Sequence, residues 1–312
     1  MNIYLAALVF AVGILLVIKG GDWFVDAASW IARAANIPTF IIGATIVSIA
    51  TTLPEMIVSV MASVAGKNDM AVGNAIGSVT ANTGMIMAIA FVFMTVITPW
   101  REYWKQCVIL LSAATILWVG SRSGSVALWA SIALAGLFVL FMTLNVSQAR
   151  RQPEATEKFT YKKKEIWKNI ALFIVGAAGI VLGSNMLING GSTIATVLGV
   201  PERVIAVTMV AIGTSLPELI TTITAIRKKE ASLSVGNIIG ANIIDLALIL
   251  PICSFVSGEA FTVSAQCLTI DFPACLLISA LAVIPMLIRG RAAKLQGILM
   301  LLVYGAYLVI TI

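Results

Sequence analysis

The chain has 312 residues, 60% of them apolar and 11% charged, with a net charge of +6 and a mean hydropathy of +1.04. That composition belongs to a membrane protein and excludes a soluble globular domain. There is no histidine, and Cys107, Cys253, Cys267 and Cys275 lack CxxC spacing, which excludes zinc sites, histidine catalysis and histidine ligation of haem; the thiols read as buried packing residues.

The chain opens on an apolar run, Ile3–Ile18, followed by Lys19, and this reads as a first spanning helix and not a removable signal peptide. A span needs about 20 apolar residues. Hydropathy then predicts ten, near 3–31, 39–65, 70–97, 104–120, 126–147, 167–196, 202–226, 232–256, 262–286 and 293–311. The longest connection is a basic stretch that divides the chain into a five-helix repeat over 1–147, a linker over 148–166 and a second five-helix repeat over 167–312.

Lysines and arginines test that layout. One side of the membrane collects Arg33, Arg101, Lys105, seven residues from Arg150 to Lys168, Arg227 to Lys229, and Arg289, Arg291 and Lys294, which is 16 of 20. The positive-inside rule makes the linker cytoplasmic and places both termini outside, so the positive charge orients the protein and does not bind nucleic acid. Trp23, Trp100, Trp104, Trp118 and Trp167 fall near predicted ends as interfacial anchors. Because each half has an odd number of spans, the halves are expected to insert upside down relative to one another.

One motif occurs twice. Ile49-Ala-Thr-Thr-Leu-Pro-Glu55 and Ile212-Gly-Thr-Ser-Leu-Pro-Glu218 stand at an offset of 218 − 55 = 163, and 16 of 45 residues are identical from Pro38–Asn82 to Pro201–Asp245 without a gap. The Pro, Glu, Asn and Gly positions align, so the halves are homologous. A carboxylate in mid-membrane costs roughly 2.5–3.5 kcal/mol on insertion scales, so two in matched positions point to a shared site.

Pro54 and Pro217 each remove a backbone donor and disfavour helical geometry in the preceding residue, which breaks predicted spans 2 and 7. Each break sets Thr51-Thr52 or Thr214-Ser215 beside freed carbonyls, with the glutamate in the first turn of the next half-helix. Gly73-Asn-Ala-Ile-Gly77 and Gly236-Asn-Ile-Ile-Gly240 are GxxxG patterns for close helix approach, with Asn74 and Asn237 read as interhelical hydrogen bonders. Ser78 and Asn82 follow in the first half, Ala241 and Asp245 in the second. The cluster Glu55, Glu218, Asp245, Asn82, Ser78, Thr51, Thr52, Thr214 and Ser215 offers hard oxygens, with three carboxylates and no Lys or Arg. Calcium takes six to eight such oxygens, and sodium is satisfied by the same atom types. Asp22 and Asp26 read as interfacial or paired, and Asp271, beside Pro273, as absorbing a broken turn.

These residues resemble the cation/calcium exchanger superfamily, whose two alpha repeats carry GT-S-LPE and GN-IG-N motifs, and most nearly its prokaryotic sodium/calcium exchangers. The resemblance covers nearly the whole chain. It implies an all-helical membrane antiporter, not an enzyme, in which Glu55 and Glu218 are shared by Ca2+ and Na+. Thr51, Thr52, Thr214, Ser215 and Ser78 would flank them, Asn82 and Asp245 would complete the centre, and the carbonyls of Ser48 and Ala211 would be backbone ligands. It further implies that predicted helices 1 and 6 move against the ion-binding core. No cofactor is expected beyond the transported ions, and the bilayer is the expected surrounding. Two departures from the family pattern stand out: the first half reads Ala50-Thr51-Thr52 where Gly-Thr-Ser is usual, and Ala241 replaces a serine. Ala241 and Thr52 leave a proton/calcium antiporter open as an alternative; a cation channel is a more distant one.

Overall fold

The computed structural model describes residues 2–94, 100–151, 163–199, 215–257 and 260–311. The helices among them are α1 (Ile3–Ala35), α2 (Thr39–Thr51), α3 (Leu53–Val64), α4 (Asn68–Phe93), α5 (Trp100–Gly120), α6 (Leu128–Arg151), α7 (Lys163–Val197), α8 (Leu216–Lys228), α9 (Ala231–Val256), α10 (Cys267–Arg289) and α11 (Lys294–Thr311). Among the described residues eight are long and apolar enough to cross a membrane, and α2 with α3, bent by 49° at Thr52, makes a ninth. The chain is therefore a multi-pass helical membrane protein. The first part of predicted span 7, through residue 214, lies outside the described residues.

Local sequence sets the helix ends. Asn2 caps α1 by accepting from Leu5 N (2.8 Å), and Asn36 closes it in the left-handed region at φ 54°, a conformation Asn tolerates. Helix runs further into the basic connection than hydropathy indicates: α6 continues to Arg151 and α7 starts at Lys163. Both ends of the expected linker 148–166 are thus helical, because Lys and Arg are good helix formers whose charged heads stay wet while the stems lie on apolar surface.

The two halves share register in their elements. α3 and α8 begin at Leu53 and Leu216, and the regular parts of α4 and α9, Asn68–Ala81 and Ala231–Ile244, both give way to π-helical turns starting at Asn82 and Asp245. Every one of these boundaries repeats at the offset of 163 residues. α4 and α9 form the centre, with 72% and 78% of their apolar window buried, against 22% in α1 and α7.

Glycines set the closest approaches. α9 lies on α2 through its GxxxG pair: a Cβ at Gly236 would strike the Phe40 carbonyl, and one at Gly240 would strike the Ala44 carbonyl and come within 2.6 Å of Ser48 Oγ. Gly240→Ala is expected to destabilise the protein by about 1–3 kcal/mol, since the obstacle is backbone; a drop in the thermal midpoint in detergent checks this.

A second glycine seam joins α1 to α7. A Cβ at Gly13 would meet Gly183 O at 3.0 Å, one at Gly20 would meet Gly176 O at 2.9 Å, and one at Gly190 would meet Ala6 O at 2.9 Å. Numbers rising on one helix as they fall on the other make the pair antiparallel. Gly13 and Gly176 are repeat mates, as are Gly20 and Gly183, so each contact is the other with the halves exchanged. That is the signature of a pseudo-twofold contact between equivalent helices.

At one end of the bundle, Val126 N donates to Phe261 O and Val263 N to Gly124 O (both 2.9 Å), while Asn68 Nδ2 donates to Ala260 O (3.3 Å). The turns after α3, α5 and α9 therefore lie together. Trp118 departs from the simple anchor reading: its Nε1 donates to Leu268 O (3.1 Å), tying α5 to α10. All four cysteines are free and buried.

Candidate cation site

The residue ahead of the Leu-Pro-Glu run has the same backbone conformation in both motif copies. Thr52 (φ −86°, ψ 0°) and Ser215 (φ −84°, ψ 5°) occupy the sparsely populated bridge region just before α3 and α8. Pro54 and Pro217 follow at the start of α3 and α8, where a missing N–H costs no helical bond. Glu55 and Glu218 consequently sit in the first turns of these helices, where the exposed N–H groups and the helix dipole favour a negative charge.

Both glutamates are buried, at 1% and 0% exposure, and Asp245 is also at 0%. Glu55 interacts electrostatically with Glu218 and Asp245, and Asp245 with Glu218. Among the described residues no Lys or Arg is buried to balance them. Thr52 Oγ1 donates to Glu218 Oε1 (3.3 Å), joining one half's break to the other half's acid. Both oxygens of Glu55, Oε2 of Glu218, both oxygens of Asp245, Oδ1 of Asn82 and Oγ of Ser215 are buried with no hydrogen-bond partner among the described residues. Buried acceptors are almost always satisfied, so this concentration of partnerless oxygens marks a place suited to a cation.

Supporting hydrogen bonds fix the walls. Asn74 Nδ2 donates to Ser59 Oγ (2.9 Å) and to the Glu55 carbonyl (3.3 Å), holding α4 on α3 behind the acid. Thr51 Oγ1 lies within hydrogen-bond distance of Asn237 Oδ1 (3.2 Å) and of Ser48 O (3.3 Å). The Ser48 carbonyl also accepts from Thr52 N (2.9 Å), and Ser48 Oγ donates to Thr45 O (3.0 Å), so this carbonyl already serves the helix. Asn82 and Asp245 each open a π-helical turn, which swings their side chains off the regular helical register. Ser78 is buried on α4; Thr214 and Ala211 lie outside the described residues. Among those residues no three His, Cys, Asp or Glu side chains are disposed around a single metal position. A cation here would accordingly use one or two acids together with neutral oxygens.

Sequence reasoning missed one polar pair, Asn242 on α9 and Thr83 on α4, joined by a 2.7 Å hydrogen bond. The available signal was a lone amide one turn before Asp245 in an otherwise apolar stretch. Asp22 and Asp26 are paired: Lys228 Nζ is 2.7 Å from Asp26 and 3.8 Å from Asp22, and Arg227 is 3.9 Å from Asp22. Asp271 accepts from Tyr307 Oη (3.0 Å), a structural role within the π-helical turn that precedes Pro273. Because the Lys228 cluster is partly exposed, Lys228→Gln is expected to cost no more than about 1 kcal/mol, checked by thermal unfolding in detergent.

The family model described as sodium/calcium exchanger protein matches residues 5–147 and 168–312. The chain belongs to this family of membrane transporters. It is 35% identical over 276 residues to the inner membrane protein YrbG of Escherichia coli, covering 82% of this chain and 81% of that one. It is 28% identical over 344 residues to the sodium/calcium exchanger MaX1 of Methanosarcina acetivorans, covering 97% of each. The structure of the sodium-calcium exchanger NCX_Mj soaked with zero Na+ and Ca2+ superposes with a TM-score of 0.87 at 26% identity over the whole of both chains.

Proposed function

We propose that this exchanger-family protein is a secondary active antiporter that moves Ca2+ against Na+ across a prokaryotic cytoplasmic membrane by alternating access. The observation that carries the reading is the pair Glu55 and Glu218, one from each half at equivalent positions, both buried, with Thr52 of the first half donating to Glu218 of the second. Glu55 and Glu218 bind Ca2+ with neutral oxygens from Thr51, Thr52, Thr214, Ser215, Ser78 and the carbonyls of Ser48 and Ala211. Na+ occupies overlapping positions and those near Asn82 and Asp245, displacing Ca2+. Crossing with the acids uncompensated is disfavoured because buried charge without a partner is costly, and this couples the two fluxes.

The architecture behind this reading is ten spans in two inverted five-helix repeats, with spans 2 and 7 broken at Pro54 and Pro217. The linker faces the cytoplasm and both termini face outside. The reciprocal glycine contacts of antiparallel α1 and α7 support the inversion, and the 49° bend at Thr52 supports the first break. A helix pair packed backbone to backbone presents few side chains to interlock, which suits sliding against the core.

The test is uptake of radiolabelled Ca2+ into proteoliposomes under an outward Na+ gradient. Uptake that requires Na+ is the expected result. Uptake driven by an outward proton gradient alone would overturn the coupling ion in favour of the reading that Ala241 keeps open; no uptake under either gradient would overturn Ca2+ as cargo.

A further inference from the structure

The helical register contains one asymmetry that the paired motifs do not explain. Asn242 and Thr83, both fully buried and hydrogen-bonded at 2.7 Å, map through the offset of 163 to Val79 and Leu246, which are fully buried and apolar. The polar pair therefore exists at only one of two equivalent places. At the adjacent position the bias is reversed, for Ser78 maps to Ala241. α9 has lost a hydroxyl and carries a carboxamide one residue later.

The Asn242 amide is only half used. Nδ2 donates to Thr83 Oγ1, while Oδ1 is buried with no hydrogen-bond partner among the described residues. A residue retained only to tie α9 to α4 has no use for a free buried oxygen, which costs about 1–3 kcal/mol when left unsatisfied. With its nitrogen held by Thr83, the oxygen is turned the opposite way. Asp245 follows one turn along α9 and Asn82 directly precedes Thr83; both carry buried oxygens without a partner among the described residues, on the two segments that pack together here.

We propose that Asn242 Oδ1 is a neutral oxygen ligand for a transported cation beside Asp245, with Thr83 as the positioning residue that holds the amide in its ligating orientation. The inference rests on the cation site proposed above. One residue along a helix turns the side chain by about 100°, so the carboxamide approaches from a different angle than a hydroxyl at position 241 and reaches further. The site's two halves are then chemically unequal, with a serine hydroxyl on α4 answered by an amide oxygen on α9.

The test is equilibrium binding of radiolabelled Ca2+, and its competition by Na+, on the purified full-length protein with Asn242→Leu, Asn242→Asp, Thr83→Val and Glu218→Gln. Asn242→Leu is expected to weaken cation binding about tenfold or more, and Thr83→Val by a smaller factor, about threefold, because it releases the amide without removing it. Asn242→Asp keeps the oxygen and adds charge, so it is expected to shift the ratio of Ca2+ to Na+ affinity about tenfold towards Ca2+. An amide that merely joins helices predicts no such shift. Unchanged binding of both ions in well-folded Asn242→Leu overturns the proposal. If that variant does not fold, Asn242→Asp decides alone, and equal weakening for both ions overturns it. Cation binding that survives Glu218→Gln overturns the site itself; binding lost there but intact in Asn242→Leu overturns only the role of Asn242.

Discussion

Glu218→Gln is expected to reduce sodium-driven calcium uptake in proteoliposomes at least about a hundredfold. Removing one member of a buried ionic arrangement costs about 3–5 kcal/mol, and each 1.4 kcal/mol is about tenfold in affinity. Glutamine retains an amide oxygen that accepts from Thr52 Oγ1, so the tie between the halves survives and the variant isolates the charge. Glu55→Gln is expected to match it, because both acids occupy the first turn of equivalent helices. The double variant should be no worse than either single one, since neighbours serving one ion are not additive. Retention of a tenth or more of the uptake in Glu218→Gln, a loss of no more than about 1.4 kcal/mol, would mean that the acid is structural.

Gly20→Leu is expected to cut exchange about tenfold or more while leaving equilibrium Ca2+ binding within about threefold. The added Cβ would lie 2.9 Å from Gly176 O and Ile180 N. Both are backbone atoms and cannot turn aside, so α1 and α7 must separate. The acids are carried by α3, α8 and α9, and neither helix of this seam bears one of them. Gly183→Leu, the repeat mate, is expected to behave alike because its Cβ would lie 2.9 Å from Gly13 O. Lys19→Leu, an exposed neighbour on α1, serves as the control and is expected to leave exchange unchanged. Calcium binding lost together with exchange would show that the seam holds the site and does not carry its movement.

Much of the candidate site was legible because its chemistry is local. Proline disfavours helical geometry in the residue before it, and a bend stands at Thr52, two residues before Pro54; the stretch leading to Ser215 lies outside the described residues. An acid repeated 163 residues apart beside matched Pro, Asn and Gly needs no coordinates to be recognised as half of a pair. The GxxxG contact of α9 was also readable, since a stripe of small residues in an apolar helix announces close approach. The partner was not readable: the sequence does not say that Gly240 rests on Ala44 and Ser48. The seven-residue spacing of Gly13 and Gly20 was plainly written, yet it gained meaning only once α7 lay antiparallel beside α1.

The sequence by itself determined that this is a multi-span helical membrane protein built from two related halves, each contributing a glutamate behind a proline. Hydropathy, proline geometry and repeat register are properties of short stretches, and they hold whatever those stretches pack against. Only the tertiary structure decided that Thr52 serves Glu218, that Asn237 faces Thr51, and that Asn242 is held by Thr83. Each of these joins residues more than 150 positions apart. Which polar atoms meet across such separations is set by helix crossings and by π-helical turns that rotate side chains out of register. Those geometries follow from the packing of the whole bundle, which no single stretch specifies.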